Sequence, residues 1–595
     1  MEQLNPEQRT ASLHGTGPML VLAGPGCGKT TALVARYANL LDAGVKPEQI
    51  LAITFTRKAA RNMQRRICKD TGVARERTVI GTFHSAALAI MRTYPQAFGE
   101  LAERRVLSEQ EPERLISEIA ADLEMSSDGM SDVIERFKDE LITPGEALKA
   151  ARGREGPDRY EAERRGKLYA RYQKRLAAEG ALDFGDILFA VVSTLEADEK
   201  LLRTLRKRYR FVMVDEYQDI NPAQDRMLKL ISGPDNNIWA VGDPQQAIYG
   251  FRGSHIEYIL TFAERNPRAR TVQLFRNYRS SQTILKAAAA VLVKAKSGGT
   301  SDMQLSGRQK GGPLELHEAA DPASEAEWIA RRIQHLIRQG TPENEIAVLV
   351  RVAHHAGFVE RALAGLDIAY SLLGLSNFWT QPEVRQALRV MAAVSELAAP
   401  DDIPPPKRIM DEITSKDRAR SFAELGARVC QLVSRNPRRD VTGQRREAWQ
   451  AAMSILAAEF RSAGTADELA RRAAARRAPT RSGSDTGNQD ASGERGGDSG
   501  GAGVQIGTIH SAKGLEYDAV FVAACEDGVM PHAKADDHDE ERRLAFVAIT
   551  RARHLVAMTW TRERGRHQVV RSPYIAEIRS HLSAQDIRET ADRTG

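Results

Sequence analysis

The chain has 595 residues, 42% of them hydrophobic, and its 85 basic and 79 acidic side chains leave a formal net charge of +6. That length exceeds what one hydrophobic core can organise and, at about 150 residues per domain, implies roughly four structural units. No run approaches the roughly 18 apolar residues of a membrane span. The N-terminus lacks a signal peptide's apolar segment, and the four dispersed cysteines contain no CxxC pair, so the expectation is a cytoplasmic protein without a zinc site or disulfide framework.

The first element in chain order is the apolar run Pro18-Met19-Leu20-Val21-Leu22, which reads as a buried strand. It leads into Ala23-Gly24-Pro25-Gly26-Cys27-Gly28-Lys29-Thr30-Thr31, a nucleoside-triphosphate phosphate loop whose first position is Ala23 in place of the general Gly. Small residues let successive backbone N–H groups face phosphate oxygens. Lys29 can reach the β/γ-phosphates, and the Thr30 hydroxyl can ligate Mg²⁺ at a helix N-terminus that favours anions. Apolar residues at Ala32, Leu33, Ala35, Leu40 and Leu41 predict the helix that must follow.

Further buried strands are predicted at Ile50–Phe55, at Phe211–Val214 ahead of Asp215-Glu216, and at Ile238–Val241 ahead of Gly242-Asp243. Residues 93–181 are helix-like and highly charged, which reads as an inserted subdomain. Ile346–Val350 and Ala519–Ala523 repeat the strand signal in the second half, again separated by a helical stretch. Residues 479–503 lack any large apolar side chain and read as a flexible linker. Strands alternating with helices predict parallel α/β sheets with chemistry at the carboxyl ends of the strands.

A phosphate loop needs a partner that holds Mg²⁺ and activates water. Asp215 is the expected Mg²⁺ anchor, and Glu216 is the candidate base that orients the attacking water for in-line displacement. The basic clusters Arg57-Lys58, Arg65-Arg66, Arg164-Arg165 and Arg203 to Arg210 permit nucleic-acid binding, although most such runs are solvated helix faces.

Ten blocks in one order then carry a resemblance to the superfamily 1 DNA helicases of the UvrD/PcrA/Rep type. They are Leu4–Gln8, the phosphate loop, Ile53–Ala60, Gly81–Ser85, Leu182–Asp186, the Asp215 block, Val241–Gly253, Asn277–Ser280, Gly507–Glu516 and Ile549–Arg553. The resemblance spans about Leu4 to Tyr574. It implies two RecA-like parallel-sheet lobes, each interrupted by a mainly helical inserted subdomain. The first lobe is expected over 1–92 and 182–273 with its insertion at 93–181. The second is expected over 274–373 and 505–581 with a shortened insertion at 374–504, followed by a polar tail at 582–595.

The resemblance further implies one Mg·ATP between the lobes and single-stranded DNA across them. Gln8 would read the adenine edge, Tyr278 would stack on the ring, and Gln246 would sense the γ-phosphate. Arg279 and Arg551 would come from the second lobe as arginine fingers, and Glu516 would contact the sugar end of the nucleotide or couple it to motion. Phe55, Tyr249 and Phe251 are the base-stacking candidates, with Thr56, Thr82, His84, Thr508 and His510 on the DNA backbone.

The implied activity is ATP-dependent 3′→5′ translocation on single strands and at single-strand/duplex junctions, in repair, replication restart or plasmid maintenance. Repair or replication proteins are implied as partners, and a monomer or DNA-induced dimer as the working form. Rival readings are the motor subunit of a recombination helicase–nuclease and a nucleotide-regulated DNA clamp.

The sequence departs from the family pattern at Thr31, where Arg is common, at Gly250, and at Phe251, where Trp is usual. An expected aromatic is missing from Thr559–Gly565. The short second insertion favours translocation over vigorous unwinding.

Overall fold

The structure is a computed structural model, and it describes residues 4–108, 110–153, 155–295, 311–375, 378–395, 397, 399–401, 403–436, 443–475, 503–564 and 567–592. The chain divides at Arg279/Ser280 into two compact units.

The first unit is built on strands β1 (Met19–Ala23), β2 (Ile50–Thr54), β3 (Val79–Thr82), β4 (Arg105–Val106), β5 (Ala181–Leu182), β6 (Phe211–Val214), β7 (Ile238–Gly242) and β8 (Arg270–Leu274). Six of them form one parallel sheet in the order β3-β2-β6-β7-β1-β8. The central strands β2, β6 and β7 are buried along their whole length, as continuous apolar runs covered on both faces must be. The helix Lys29–Asp42 turns Ala32, Leu33, Tyr37 and Leu40 inward against Met19, Val21 and Trp239, which fixes the phosphate loop at the end of β1. The short parallel pair β4-β5 brackets the helices Glu111–Asp122, Met130–Asp139, Pro144–Arg152 and Gly156–Ala178. Those helices have their own core of Leu115, Ile116, Ile134, Leu168, Tyr172 and Leu176.

The second unit carries β9 (Leu314–Ala319), β10 (Ile346–Val350), β11 (Tyr370–Leu373), β12 (Val504–Thr508), β13 (Tyr517–Ala523), β14 (Ala552–Thr561), β15 (Glu563–Arg564), β16 (His567–Gln568) and β17 (Ile587–Ala591). Seven of these make a second parallel sheet, β11-β12-β10-β13-β14-β9-β17. The architecture is therefore α/β with two RecA-like parallel-sheet lobes. Between β11 and β12 lie the helices Pro382–Val394, Phe422–Arg435, Gly443–Ala463 and Ala466–Ala475, packed on Trp379, Val384, Met391, Val429, Trp449, Leu456 and Phe460. Among the described residues no helix is long and apolar enough to cross a membrane.

Three differences from the sequence reading have physical causes. The first sheet does not end before 274: β8 pairs beside β1, and the chain through Tyr278 and Arg279 stays with the first unit. The expected polar tail contains β17, a mostly exposed edge strand whose backbone pairs with β9 although its side chains carry no apolar signal. The segment after Arg551 runs as the ten-residue strand β14, with Trp560 buried and its Nε1–H donated to Glu318 Oε1 at 3.2 Å. The expected linker 479–503 lies, apart from Gly503, outside the described residues.

Close helix packing in the second insertion gives a test. A Cβ on Gly426 would lie 2.2 Å from Phe460 Cγ, whereas one on Gly365 meets nothing within 4 Å. Gly426→Ala is expected to lower the stability of this helical body by about 2 kcal/mol, and Gly365→Ala, in the helix Ala356–Gly365 ahead of the insertion, to leave the protein's stability unchanged or slightly raised, read as protease susceptibility and thermal midpoint.

Candidate nucleotide and nucleic-acid site

A parallel sheet delivers the carboxyl ends of its strands to one rim. In the first unit that rim carries the phosphate loop after β1, Phe55 after β2, Asp215-Glu216 after β6 and Asp243 after β7.

Ala23 closes β1, and Gly24 begins the turn with its carbonyl accepting the Cys27 N–H at 3.3 Å. Gly26 (φ +68°) and Gly28 (φ +81°) are both left-handed, a conformation open to glycine without strain. Gly28 caps the helix Lys29–Asp42 with no side chain, so the helix's first N–H groups face outward toward any anion.

Both flanks of the loop are occupied by residues singled out in the sequence. Asn5 and Gln8 form a reciprocal capping box, and Gln8 Nε2 donates to the Cys27 carbonyl at 3.1 Å. On the other flank Asn277 donates through Nδ2 to the Pro25 carbonyl, the Tyr278 N–H donates to the Gly26 carbonyl at 2.9 Å, and the Arg279 N–H donates to Asn277 Oδ1 at 2.8 Å. Tyr278 remains 40% exposed, with its hydroxyl accepting from Asn5 Nδ2 at 3.0 Å. Gln8, Tyr278 and Arg279 thus converge on residues 23–31. Thr31 accepts from Arg66 Nη2 at 3.2 Å, which brings a guanidinium to the position where the family pattern carries its own arginine.

Burial, with the adjacent Glu216, pushes the Asp215 carboxyl up to about 7, against the pull of Lys29. Glu216 sits in the left-handed region (φ +54°), a strain that aims its carboxylate to within 4.0 Å of Lys29 Nζ. Gln218, fully buried, donates through Nε2 to Glu216 Oε2 at 2.6 Å and accepts the Asp243 N–H on Oε1 at 2.9 Å. Asp243 in turn accepts from Gln246 Nε2 at 2.6 Å, and burial raises its carboxyl too. The candidate base and Gln246 are therefore joined through two residues the sequence reading did not single out. Asn5 and Asn277 were missed likewise, and for all four the signal was present only as polar residues within blocks already quoted.

The donor set fits the implied ligands. Two glycine positions with no room for a Cβ, an uncapped helix N-terminus and Lys29 suit a triphosphate. One carboxylate (Asp215) with one hydroxyl (Thr30) suits a Mg²⁺ that takes its remaining oxygens from phosphates and water. Among the described residues no group of three or more His, Cys, Asp or Glu is placed to hold a metal unaided.

Along the same rim Phe55 stacks on Tyr249, with centroids 5.0 Å apart and planes at 15°, and Tyr249 meets Phe251 at 6.3 Å. Tyr249 is buried, whereas Phe251 is 52% exposed. Thr56 and Thr82 cap the helices Arg57–Thr71 and Phe83–Thr93. The His84 ring packs edge-on to Phe184 at 6.0 Å, and burial followed by the Arg57 charge holds it below the ordinary imidazole range.

The remaining predicted residues belong to the second unit. Thr508 accepts the Ser511 N–H at 3.2 Å, and His510 lies half-buried within the same turn. Glu516 accepts from Arg553 Nη2 at 3.0 Å. Arg551 is 1% exposed, its guanidinium donating to the carbonyls of Val547 (3.0 Å) and Leu515 (3.2 Å) and to Thr550 Oγ1 (3.2 Å).

A phosphate loop at the end of β1, with tandem carboxylates two strands away in a six-stranded parallel sheet, defines a P-loop nucleoside triphosphatase of the RecA-like kind. Residues 4–267 match the UvrD/REP helicase N-terminal domain, and residues 272–440 and 490–563 match the UvrD-like helicase C-terminal domain. The chain is 32% identical to the ATP-dependent DNA helicase UvrD2 of Mycobacterium tuberculosis, over 99% of this chain and 83% of that protein. It is 28% identical to the ATP-dependent DNA helicase PcrA of Staphylococcus aureus, over 94% of this chain and 83% of that protein. The chain belongs to the UvrD/Rep helicase family.

The buried loop thiol supplies a chemical test. Burial, with the Asp243 charge behind it, pushes the Cys27 thiol up to about 12, so its thiolate is scarce at pH 8. Iodoacetamide at pH 8 is expected to label the half-exposed Cys68 and to leave Cys27 unlabelled, as read by peptide mass mapping.

Proposed function

We propose that this chain is a DNA-stimulated ATP hydrolase that moves 3′→5′ along single-stranded DNA and separates strands at single-strand/duplex junctions. The observation that carries this reading is a physical link on one sheet rim between the acid loop and the aromatic array. Ser254 Oγ donates to the Asp219 carbonyl at 2.6 Å and the His255 N–H donates to the Ile220 carbonyl at 3.1 Å. The segment that carries Tyr249 and Phe251 is thereby tied to the segment that carries Asp215 and Glu216. The names of the relatives support ATP and DNA as the ligands.

In this reading Lys29 and the loop N–H groups hold the β/γ-phosphates, while Gln8 and Tyr278 take the base. Thr30 and Asp215 hold Mg²⁺, which when bound offsets phosphate charge. Glu216 accepts the proton of the attacking water and Gln246 registers the γ-phosphate. Arg279 and Arg551 offset charge developing on the transferred phosphoryl group. Phe55, Tyr249 and Phe251 stack on bases, and Thr56, Thr82, His84, Thr508 and His510 hold the DNA backbone. DNA repair, replication restart and plasmid maintenance are the processes such an activity serves.

Single-stranded DNA is expected to raise ATP turnover at least about tenfold, and Lys29→Ala to abolish that turnover by about 100-fold or more. Arg279→Ala is expected to cost about 10³-fold. Because Arg551 also holds backbone carbonyls, Arg551→Ala is to be accompanied by a melting curve, with a stability loss of about 1–3 kcal/mol expected beside the loss of turnover. Strand displacement is expected from a 3′-tailed duplex and not from a 5′-tailed one; the reverse preference, or turnover indifferent to DNA, would reject the reading.

A further inference from the structure

The helix Met130–Asp139 belongs to the inserted subdomain of the first unit, yet its last turn docks on two of the sequence blocks quoted above. Lys138 is buried and its Nζ lies 2.6 Å from Asp183 Oδ2 and 2.7 Å from Asp186 Oδ1, the two carboxylates that cap the helix Phe184–Ala197. The next residue, Asp139, turns to the other side. Its Oδ1 accepts from Asn221 Nδ2 at 2.6 Å, and Asn221 is itself the cap of the helix Pro222–Ser232 that leaves the acid loop.

Asp139 also lies against the aromatic segment. Gly253 ends the turn Gly250–Arg252 in a left-handed conformation (φ +78°), and a Cβ there would stand 3.4 Å from Asp139 Oδ2 and 3.7 Å from Asp139 Cβ. One turn earlier in the same helix, Arg136 Nη2 donates to the Phe251 carbonyl at 3.5 Å. Glu135 faces Arg252 electrostatically, and the Arg252 guanidinium sits 5.8 Å from the Tyr249 ring centroid and 5.5 Å from that of Phe251. Burial, with Glu135 and Glu140 beside it, pushes Asp139 up to about 7. The carboxyl is therefore held by packing and by its hydrogen bond at a place that disfavours its charge.

We propose that Asp139 is a positioning residue: it locks the end of the inserted helix between Asn221 and Gly253, so that the insertion holds the aromatic segment in register with the acid loop. This rests on the functional reading above for its consequence, the coupling of DNA grip to hydrolysis, while the lock itself is a property of the protein alone.

The test uses the full chain and two readouts. By hydrogen exchange without ligand, Asp139→Ala is expected to speed exchange of the 249–255 backbone amides about tenfold, with strand β7 unchanged. Asp139→Asn, which keeps an acceptor oxygen at the same place, is expected to restore protection. In turnover assays Asp139→Ala is expected to raise the single-stranded DNA concentration for half-maximal stimulation about tenfold, with turnover in the absence of DNA within twofold of the parent. Gly253→Ala, strained by its left-handed backbone beside Asp139, is expected to behave alike. Unchanged exchange in Asp139→Ala, or equal loss in Asp139→Asn and Asp139→Ala, would overturn the lock; a global fall in thermal midpoint with uniform exchange would do so too, by making the residue merely structural. Altered exchange with no DNA stimulation in the parent would sustain the lock and remove the functional reading instead.

Discussion

The site depends on a length of backbone that has to stay bare. Between Pro25 and Lys29 the chain is gripped from both flanks, by Gln8 on one and by Asn277 with Tyr278 on the other. A single added carbon has nowhere to go: at Gly26 it would stand 2.5 Å from Arg279 Cβ, and at Gly28 it would stand 2.4 Å from Gln8 Nε2. Left-handed backbone at both positions is what turns the N–H groups to one side, and it is also what lets the two flanks approach. The bare loop and the close approach of both flanks therefore share one geometric requirement.

From that loop the polar network runs outward through buried groups that are almost all paired by hydrogen bonds. Lys29 faces Glu216, Glu216 is held by Gln218, and Gln218 reaches Asp243 and through it Gln246. In a low-dielectric setting such a chain is stiff, because each displaced member would strand its neighbour without a partner. Gln246 stands just ahead of the segment that carries Tyr249 and Phe251, and Ser254 and His255 tie that segment back to Asp219 and Ile220 beside the acid loop. A change at the phosphate end has a route through an ion pair, hydrogen bonds and a short length of backbone to the segment that carries the rings, which the inserted helix flanks through Asp139.

Much of this was legible in the sequence, and the reasons are specific. β1, β2, β6, β7, β10 and β13 are central strands, buried on both faces, and so write themselves as unbroken apolar runs. The edge and outer strands escaped notice because their side chains are shared between core and solvent. β3 is half-buried throughout, β8 starts on exposed Arg270 and Thr271, and β17 is mostly exposed. What holds them is backbone pairing, to which residue type is nearly silent. Tyr278 and Arg279 stay with the first compact unit through their contacts with the phosphate loop, a grouping residue type alone does not mark.

The catalytic candidates themselves were readable because a phosphate loop and tandem carboxylates constrain residue type as well as position. Their supports were not. Gln218, Asp243 and Asn277 each join a close sequence neighbour to a group distant in sequence, through the Gln218–Asp243 and Asn277–Pro25 hydrogen bonds, and an amide or a lone acid has too many other uses for spacing to disclose this one. Arg551 shows the converse. Its block was conspicuous, but only the structure shows the guanidinium spanning the carbonyls of Val547 and Leu515, so that its removal perturbs the fold as well as any chemistry.

The central claim is that occupancy of the phosphate loop is felt at the aromatic array. The most direct measurement is the fluorescence of a single-stranded DNA carrying 2-aminopurine, bound to the full chain and titrated with a non-hydrolysable ATP analogue and Mg²⁺. In the proposed reading bases stack on Phe55, Tyr249 and Phe251, which would make the emission sensitive to ring geometry, so the account requires a saturable change that disappears in Lys29→Ala while DNA remains bound. Emission that is indifferent to nucleotide, with both ligands demonstrably bound, would contradict it.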